Sequence, residues 1–194
     1  MNGPRILLAS TSRYRAELLR RLLDHFEQIV PDLDEQSLPD EIPAARALRL
    51  AVAKATAVSR KQPDTLVIGS DQVAALGDTV LHKPGNIEKA HQQLRTSSGK
   101  TVNFYTGLCL IDGRSGRAQR YTDHTRVVFR RLSDDEIERY VARERPLDCA
   151  GSFKSEGAGI ALFDRIESED PTALIGLPLI ALGRLLRQAG VSIP

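Results

Sequence analysis

The stretch ILLASTSRYRAELL, Ile6 to Leu19, decides how the chain is read. An apolar strand runs into a hydroxyl-rich loop, Ser10-Thr11-Ser12, and then into a helix whose first turn carries Arg13 and Arg15. A helix start presents unpaired N–H groups and partial positive charge, so two guanidinium groups there are disfavoured unless an anion sits among them. A phosphate meets both conditions. Capping of the helix by Ser12 with solvated arginines is the simpler alternative. Neither GxxxxGK[ST] nor GxGxxG occurs where a strand leads into a helix, which argues against a P-loop nucleotidase and a dinucleotide-binding Rossmann fold.

Working outward, Ala16, Leu18, Leu19, Leu22 and Leu23 predict a helix reaching Asp24 or His25, and Phe26 to Val30 a short strand. The acidic loop Pro31 to Glu41 gives way at Pro43 to a helix running to about Arg60. In that helix Ala47, Ala51, Lys54 and Val58 share one stripe, so Lys54 projects from a face of small residues. Thr65 to Ser70 reads as a buried strand closed by Gly69-Ser70, with Asp71 at its end. After a helix Ile87 to Thr96, Val102 to Ile111 pairs with Ala118 to Arg130 around Asp112-Gly113-Arg114-Ser115-Gly116. Ser133 and Glu136 form a capping box. Ile160 to Phe163 is expected as a strand, and Pro178 opens a last amphipathic helix. The long hairpin excludes a purely parallel sheet, so the expected class is mixed α/β.

Composition bounds the function. The chain has 194 residues, 41% hydrophobic content and a formal net charge of +2, which suits one domain or two small lobes and gives no reason to expect a nucleic-acid partner. No signal peptide or transmembrane segment is read, so a cytoplasmic protein without a membrane partner is expected. Cys109 and Cys149 are expected as reduced thiols in apolar surroundings. The four histidines lack HxxxH and HExxH spacing and no CxxC occurs, which argues against zinc. Absence of GxSxG argues against a serine hydrolase.

Three further places carry candidate chemistry. Asp34 and Glu35 are a carboxylate pair, or simply solvated acids of the loop. Asp71, followed by Gln72, could accept a proton from water or hold a divalent ion through oxygen, since strand ends of α/β folds commonly face the ligand; its alternative is a turn residue. In Gly151 to Gly159 small residues bring backbone close to a ligand while Lys154 and Glu156 point the same way in extended chain, against the alternative of a surface loop. Lys54, Lys83 and Lys154 are point charges suited to a polyphosphate.

The ordered blocks ASTSRYRAELL, GSDQV, HKP, FYTGL, CAGSFKSEGAGI and GLPL, spread over nearly the whole chain, resemble the Maf family of nucleoside triphosphate pyrophosphatases, in detail its 7-methyl-GTP branch. The resemblance implies an elongated two-lobed α/β fold with a central mixed sheet and a nucleotide cleft, similar to the inosine triphosphate pyrophosphatases. It implies metal-assisted cleavage between the α and β phosphates, with Mg²⁺ or Mn²⁺ as cofactor and a nucleoside triphosphate as substrate. Residue by residue, it makes Asp71 the catalytic proton acceptor, Ser10, Arg15, Lys54, Lys83 and Lys154 substrate contacts, Glu35 with Asp71 the metal ligands, and Tyr14, Gln72 and Glu156 the specificity positions. Arg13 departs from the family, which often has proline there. A homodimer is a family-level expectation. The alternatives are a dTTP/UTP or ITP/XTP pyrophosphatase, or a nucleotide-binding regulator of cell division without catalysis.

Overall fold

Alternation along the first strand creates two apolar faces, and the helices sort themselves accordingly. The computed structural model describes residues 4–193. In chain order the elements are β1 (Arg5–Ala9), α1 (Arg13–Leu19), β2 (Glu27–Ile29), α2 (Pro43–Ser59), β3 (Thr65–Leu76), β4 (Thr79–Leu81), α3 (Ile87–Ser97), β5 (Thr101–Asp112), β6 (Ala118–Phe129), α4 (Asp134–Glu144), β7 (Phe163–Glu167) and α5 (Leu179–Gln188). The strands lie in the order β2-β1-β3-β5-β6-β7, with β4 beside β3. Pairing of β1 with β2 and β3 is parallel, whereas β3–β4 and β6–β7 are antiparallel, so the sheet is mixed as the hairpin required.

The chain divides into two compact units. The first comprises residues 1–71, 106–123 and 170–194, and the second residues 72–105 and 124–169. In the first unit Ile6, Leu8, Leu66, Ile68, Leu108 and Leu110 face one way, against Leu18 and Leu19 of α1 and Leu182 and Leu186 of α5. Their neighbours Leu7, Ala9, Val67, Cys109 and Ile111 face the other way, against Ala51, Ala55 and Val58 of α2. The period of two along each strand enforces this division. Helix α2 lies unusually close to the sheet because two strand positions lack side chains. A Cβ at Gly69 would stand 2.2 Å from the Ala51 carbonyl oxygen, and one at Gly107 would stand 2.3 Å from that of Ala47. Alanines facing glycines are thus the reason for the small-residue stripe on α2.

In the second unit the core is aromatic. Phe153 meets Phe104, Phe129 and Phe163 edge-on at centroid distances of 5.2, 5.7 and 4.8 Å, the geometry favoured by the ring quadrupoles. The capping box at the start of α4 is present: Ser133 Oγ accepts from Glu136 N, and the Glu136 carboxylate accepts from Ser133 N. Backbone and Arg130 hydrogen bonds to that carboxylate lower its pKa to about 2. No helix among the described residues is long and apolar enough to cross a membrane.

Several sequence expectations need correction. Helix α1 ends at Leu19 rather than near His25, because Arg21 and Leu22 tighten into turns on the Leu18 and Leu19 carbonyls. The expected strand Ile160 to Phe163 is a 3-10 segment, Ala158–Leu162, with β7 beginning only at Phe163. Most consequentially, β3 does not stop at Ser70. It continues through Asp71 to Leu76, because Val73, Ala74 and Ala75 resume a buried run and Ala74 pairs with Leu81 of β4. What ends at Gly69 is the pairing with β1, and the glycine serves close helix packing rather than a turn.

Candidate active site

Strand register carries Asp71 to the α2 side of the sheet. It follows Val67 and Gly69 at intervals of two, so its carboxylate shares their face, and it lies just beyond the point where β1 ceases to pair with β3. Helical spacing brings Lys54 to meet it, because Lys54 lies on the stripe of Ala47, Ala51 and Val58 that packs on that face. Lys54 Nζ lies 2.6 Å from Asp71 Oδ1 and 3.0 Å from Glu35 Oε1. Lys54 and Asp71 are 6% and 7% exposed, whereas the Glu35 side chain is 53% exposed, so two members of this triad are desolvated and the third borders solvent.

Burying an ammonium with two carboxylates costs desolvation energy that their attraction offsets only in good geometry, so such a triad is weak evidence for stability. It leaves net negative charge, which a divalent cation would neutralise. The neighbouring Asp34 behaves differently from Glu35: its carboxylate accepts from Gln36 N at 2.9 Å and shapes the loop. The carboxylate pair expected from sequence is therefore split between two tasks.

The hydroxyl-rich loop after β1 is organised from within. Ser12 is the N-cap of α1 and its Oγ accepts from Arg15 N, the simpler of the two roles expected for it. Ser10 Oγ accepts from Ser12 N at 3.1 Å and has Arg15 Nη1 at 3.5 Å, and Gln28 Nε2 donates to the Ser10 carbonyl at 3.2 Å. Arg15 Nε donates to the Gly176 carbonyl at 2.9 Å. The same carbonyl lies 2.9 Å from the buried Ser70 hydroxyl, which is also 2.8 Å from the Gly107 carbonyl. Burial lowers the Arg15 guanidinium from its ordinary value, and the charges of Asp71 and Glu35 oppose that shift. Ser10 and Arg15 therefore belong to one electrostatic neighbourhood with the Glu35–Lys54–Asp71 triad. Arg13 lies over the Tyr14 ring at 4.8 Å from its centroid and donates from Nη2 to the Tyr14 hydroxyl at 2.8 Å.

The remaining candidates lie in the second unit. Gln72 is half-buried on β3, and Lys83 is exposed between β4 and α3. Lys154 and Glu156 do not lie in extended chain as expected: Gly157 N donates to the Lys154 carbonyl, closing a turn around them. Lys154 Nζ donates to the Glu144 carbonyl at the end of α4 at 2.6 Å, a favourable place for a cation, while Glu156 is exposed. Neither cysteine forms a disulfide; Cys109 is buried, which pushes its thiol up to about 11, and Cys149 is half-buried beside Asp148 rather than in apolar surroundings.

For a metal, no group of three or more His, Cys, Asp or Glu residues comes together among the described residues. The donor set still suits a hard ion. Glu35 and Asp71 already converge on one cationic atom, and Mg²⁺ is commonly held by one or two carboxylates with substrate phosphate oxygens completing the shell. Sequence reasoning missed the Ser70 hydroxyl and the arginines 46 and 49, which with Lys54 face the acidic loop. The signal was available in the charge complementarity between Pro31–Glu41 and α2.

A profile of the Maf family, described as "Maf-like protein", matches residues 5–189. A relative from Aromatoleum aromaticum named 7-methyl-GTP pyrophosphatase is 53% identical over 100% of both chains. Proteins of the same name from Cupriavidus pinatubonensis and Xanthomonas axonopodis pv. citri are 54% and 56% identical, covering 96% and 98% of this chain and 94% and 100% of their own. Among solved structures, the Staphylococcus aureus Ham1 protein aligns with 64% of this chain and 71% of its own at 14% identity, with a TM-score of 0.41.

Proposed function

The chain belongs to the Maf family, and from that premise we propose that it is a nucleoside triphosphate pyrophosphatase that hydrolyses 7-methyl-GTP between the α and β phosphates, giving 7-methyl-GMP and pyrophosphate. The observation that carries this reading is the naming of relatives more than half identical over nearly the whole chain as 7-methyl-GTP pyrophosphatases. It agrees with the family and branch that the ordered sequence blocks resemble. A non-catalytic regulator would not need Asp71, so the presence of this carboxylate favours an enzyme.

The reaction is assigned as follows. Asp71 accepts a proton from the water that attacks the α phosphorus, and the α–β bridging oxygen departs with pyrophosphate. Lys54 orients the Asp71 carboxylate through their 2.6 Å contact and meets charge that develops on the phosphoryl oxygens. Arg15, fixed by the Gly176 carbonyl, and Ser10 contact the triphosphate. Positioned charge of this kind dominates phosphoryl-type transfers. Glu35 and Asp71 would hold Mg²⁺ or Mn²⁺, which when bound withdraws charge from the reacting phosphorus. Lys83 and Lys154 enter as triphosphate contacts on the family resemblance alone, as do Gln72 and Glu156 as specificity positions.

Base choice has its own chemistry. Methylation at N7 makes guanine cationic, and Tyr14 offers an aromatic face for such a ring. That face already carries one cation, the Arg13 guanidinium, so the base would replace it or use the opposite side. Glu156 would accept from the N1–H and N2–H₂ edge, a pairing no pyrimidine offers. Cytoplasmic placement and, as a family-level expectation, a homodimer complete the proposal. A panel of 7-methyl-GTP, GTP, dTTP, UTP, ITP and XTP with Mg²⁺ or Mn²⁺, scored for pyrophosphate, tests it. The highest kcat/KM is expected for 7-methyl-GTP; preference for dTTP or UTP would overturn the branch, and preference for ITP or XTP would move the enzyme to the other class.

A further inference from the structure

Glu35 stands in a long irregular loop, yet it reaches Lys54 at 3.0 Å, and something must hold that loop in place. Residues 30–42 contain no helix or strand. Only the ends of such a segment are fixed by the fold, and an exposed carboxylate within it would ordinarily sample many positions. Helix α2 supplies the restraint. Arg49 forms a two-pronged pair with Glu41, Nε to Oε1 at 2.5 Å and Nη2 to Oε2 at 2.7 Å. The Arg49 Nη2 also lies 3.1 Å from the Gln36 carbonyl, next to Glu35. Arg46 adds a longer contact of 3.4 Å from Nη2 to the Glu35 carbonyl itself, and its own Nε is buried without a partner.

The Glu41 side chain is 8% exposed, whereas those of Glu35 and of most paired acids in the chain are far more open. A bidentate guanidinium–carboxylate pair of this kind fixes orientation as well as distance, which a lysine cannot do. Arg46, Arg49 and Lys54 occupy one helix, at intervals of three and five residues. The same rigid element thus carries both the ammonium of the triad and the clamp on the loop that delivers its exposed carboxylate.

We propose that Arg49 and Glu41 are positioning residues for the pyrophosphatase reaction, acting through Glu35 by clamping the acidic loop on α2 so that its carboxylate stays on Lys54. This rests on the reading of Glu35 as part of the reactive site. It differs from a structural role in one respect: the clamp has value for turnover only while Glu35 carries a carboxylate.

The test is a double-mutant cycle of Arg49→Met and Glu35→Gln on the full chain, with 7-methyl-GTP and Mg²⁺, read as kcat at a temperature well below either variant's melting point. Arg49→Met is expected to lower kcat about tenfold and Glu35→Gln roughly a hundredfold, with the double variant no worse than Glu35→Gln alone. Losses that multiply in the double variant would overturn the clamp while leaving Glu35 in the site. An unimpaired Glu35→Gln would overturn the reading of Glu35 and the clamp with it. Hydrogen exchange supplies a readout independent of activity: Arg49→Met should speed exchange of the amides of residues 36–41 and leave those of β1 and β3 protected. Unchanged exchange in the loop would overturn the inference. Should Arg49→Met not fold, Arg49→Lys keeps the charge and loses the fork, and the same loop-specific exchange and the same lack of additivity with Glu35→Gln are expected; protection equal to the unaltered protein would count against it.

Discussion

In the first unit Lys54 and Asp71 are desolvated and hold one another, whereas in the second Lys83, Lys154 and Glu156 are exposed or tied to backbone. Lys54 and Asp71 are 6% and 7% exposed and in contact, and Arg15 is fixed on the Gly176 carbonyl. Lys83 and Glu156 are exposed, and Lys154 is pinned to the Glu144 carbonyl. Buried and mutually oriented charges are already arranged before substrate arrives, and in a water-poor setting they act strongly without reorganising. Solvated lysines must give up water and side-chain freedom to contact a ligand. The difference predicts that the first set governs kcat and that the second set is felt mainly in KM.

The largest test of that contrast is inside the triad. Asp71→Asn is expected to lower kcat about a thousandfold while keeping the fold, because it leaves one ammonium facing one carboxylate. Lys54→Met should lower kcat roughly a hundredfold or more, and should also destabilise the protein by about 3 kcal/mol, because two carboxylates then face one another without their cation. Chemical denaturation alongside turnover separates the two. A near-normal Asp71→Asn would move the base elsewhere, and a stabilised Lys54→Met would mean that desolvating the ammonium costs more than its attraction to the two carboxylates returns.

Next in size is the second unit. Lys83→Met and Lys154→Met are each expected to raise KM for the nucleotide about tenfold with kcat nearly unchanged. Only Lys154→Met should also alter stability, since Lys154 satisfies the Glu144 carbonyl at the end of α4. Loss of kcat without change in KM in either variant would erase the division between the units.

The smallest effect is one of pH. Hydrogen bonding to Arg49 lowers the Glu41 carboxyl from its ordinary value of 4.5. A carboxyl with a lowered folded pKa stabilises the folded form fully above its unfolded value and loses that contribution as pH falls through the folded one. Loop amides of residues 36–41 should therefore stay protected at pH 6 and exchange faster only as pH drops below 4.5, once the intrinsic pH dependence of exchange is allowed for. Loosening that begins between pH 6 and 7 would contradict the clamp as the controlling contact.

Much of this was legible in the sequence for identifiable reasons. The period of two and the apolar runs placed β1, β5 and β6. Pro43 and the alanine stripe placed α2 and turned Lys54 inward, and the capping box placed α4. What failed were readings that treated small polar residues as stops. Gly69-Ser70-Asp71 resembles a strand end, but Gly69 is there to let Ala51 approach and β3 continues beyond it. Lys154 and Glu156 sit two apart as extended chain would place them on one side, yet the glycines around them allow a turn. The Arg49–Glu41 clamp escaped because pairing between a loop and a helix has no periodicity to reveal it, only complementary charge.

The most direct test of water attack on the α phosphorus is hydrolysis of 7-methyl-GTP in ¹⁸O-labelled water, with the products separated and weighed by mass spectrometry. Attack on the α phosphorus places the label in 7-methyl-GMP and leaves pyrophosphate unlabelled. Label in pyrophosphate would put the attack on the β phosphorus, and label in orthophosphate would mean a different bond is cut; either result would contradict the mechanism.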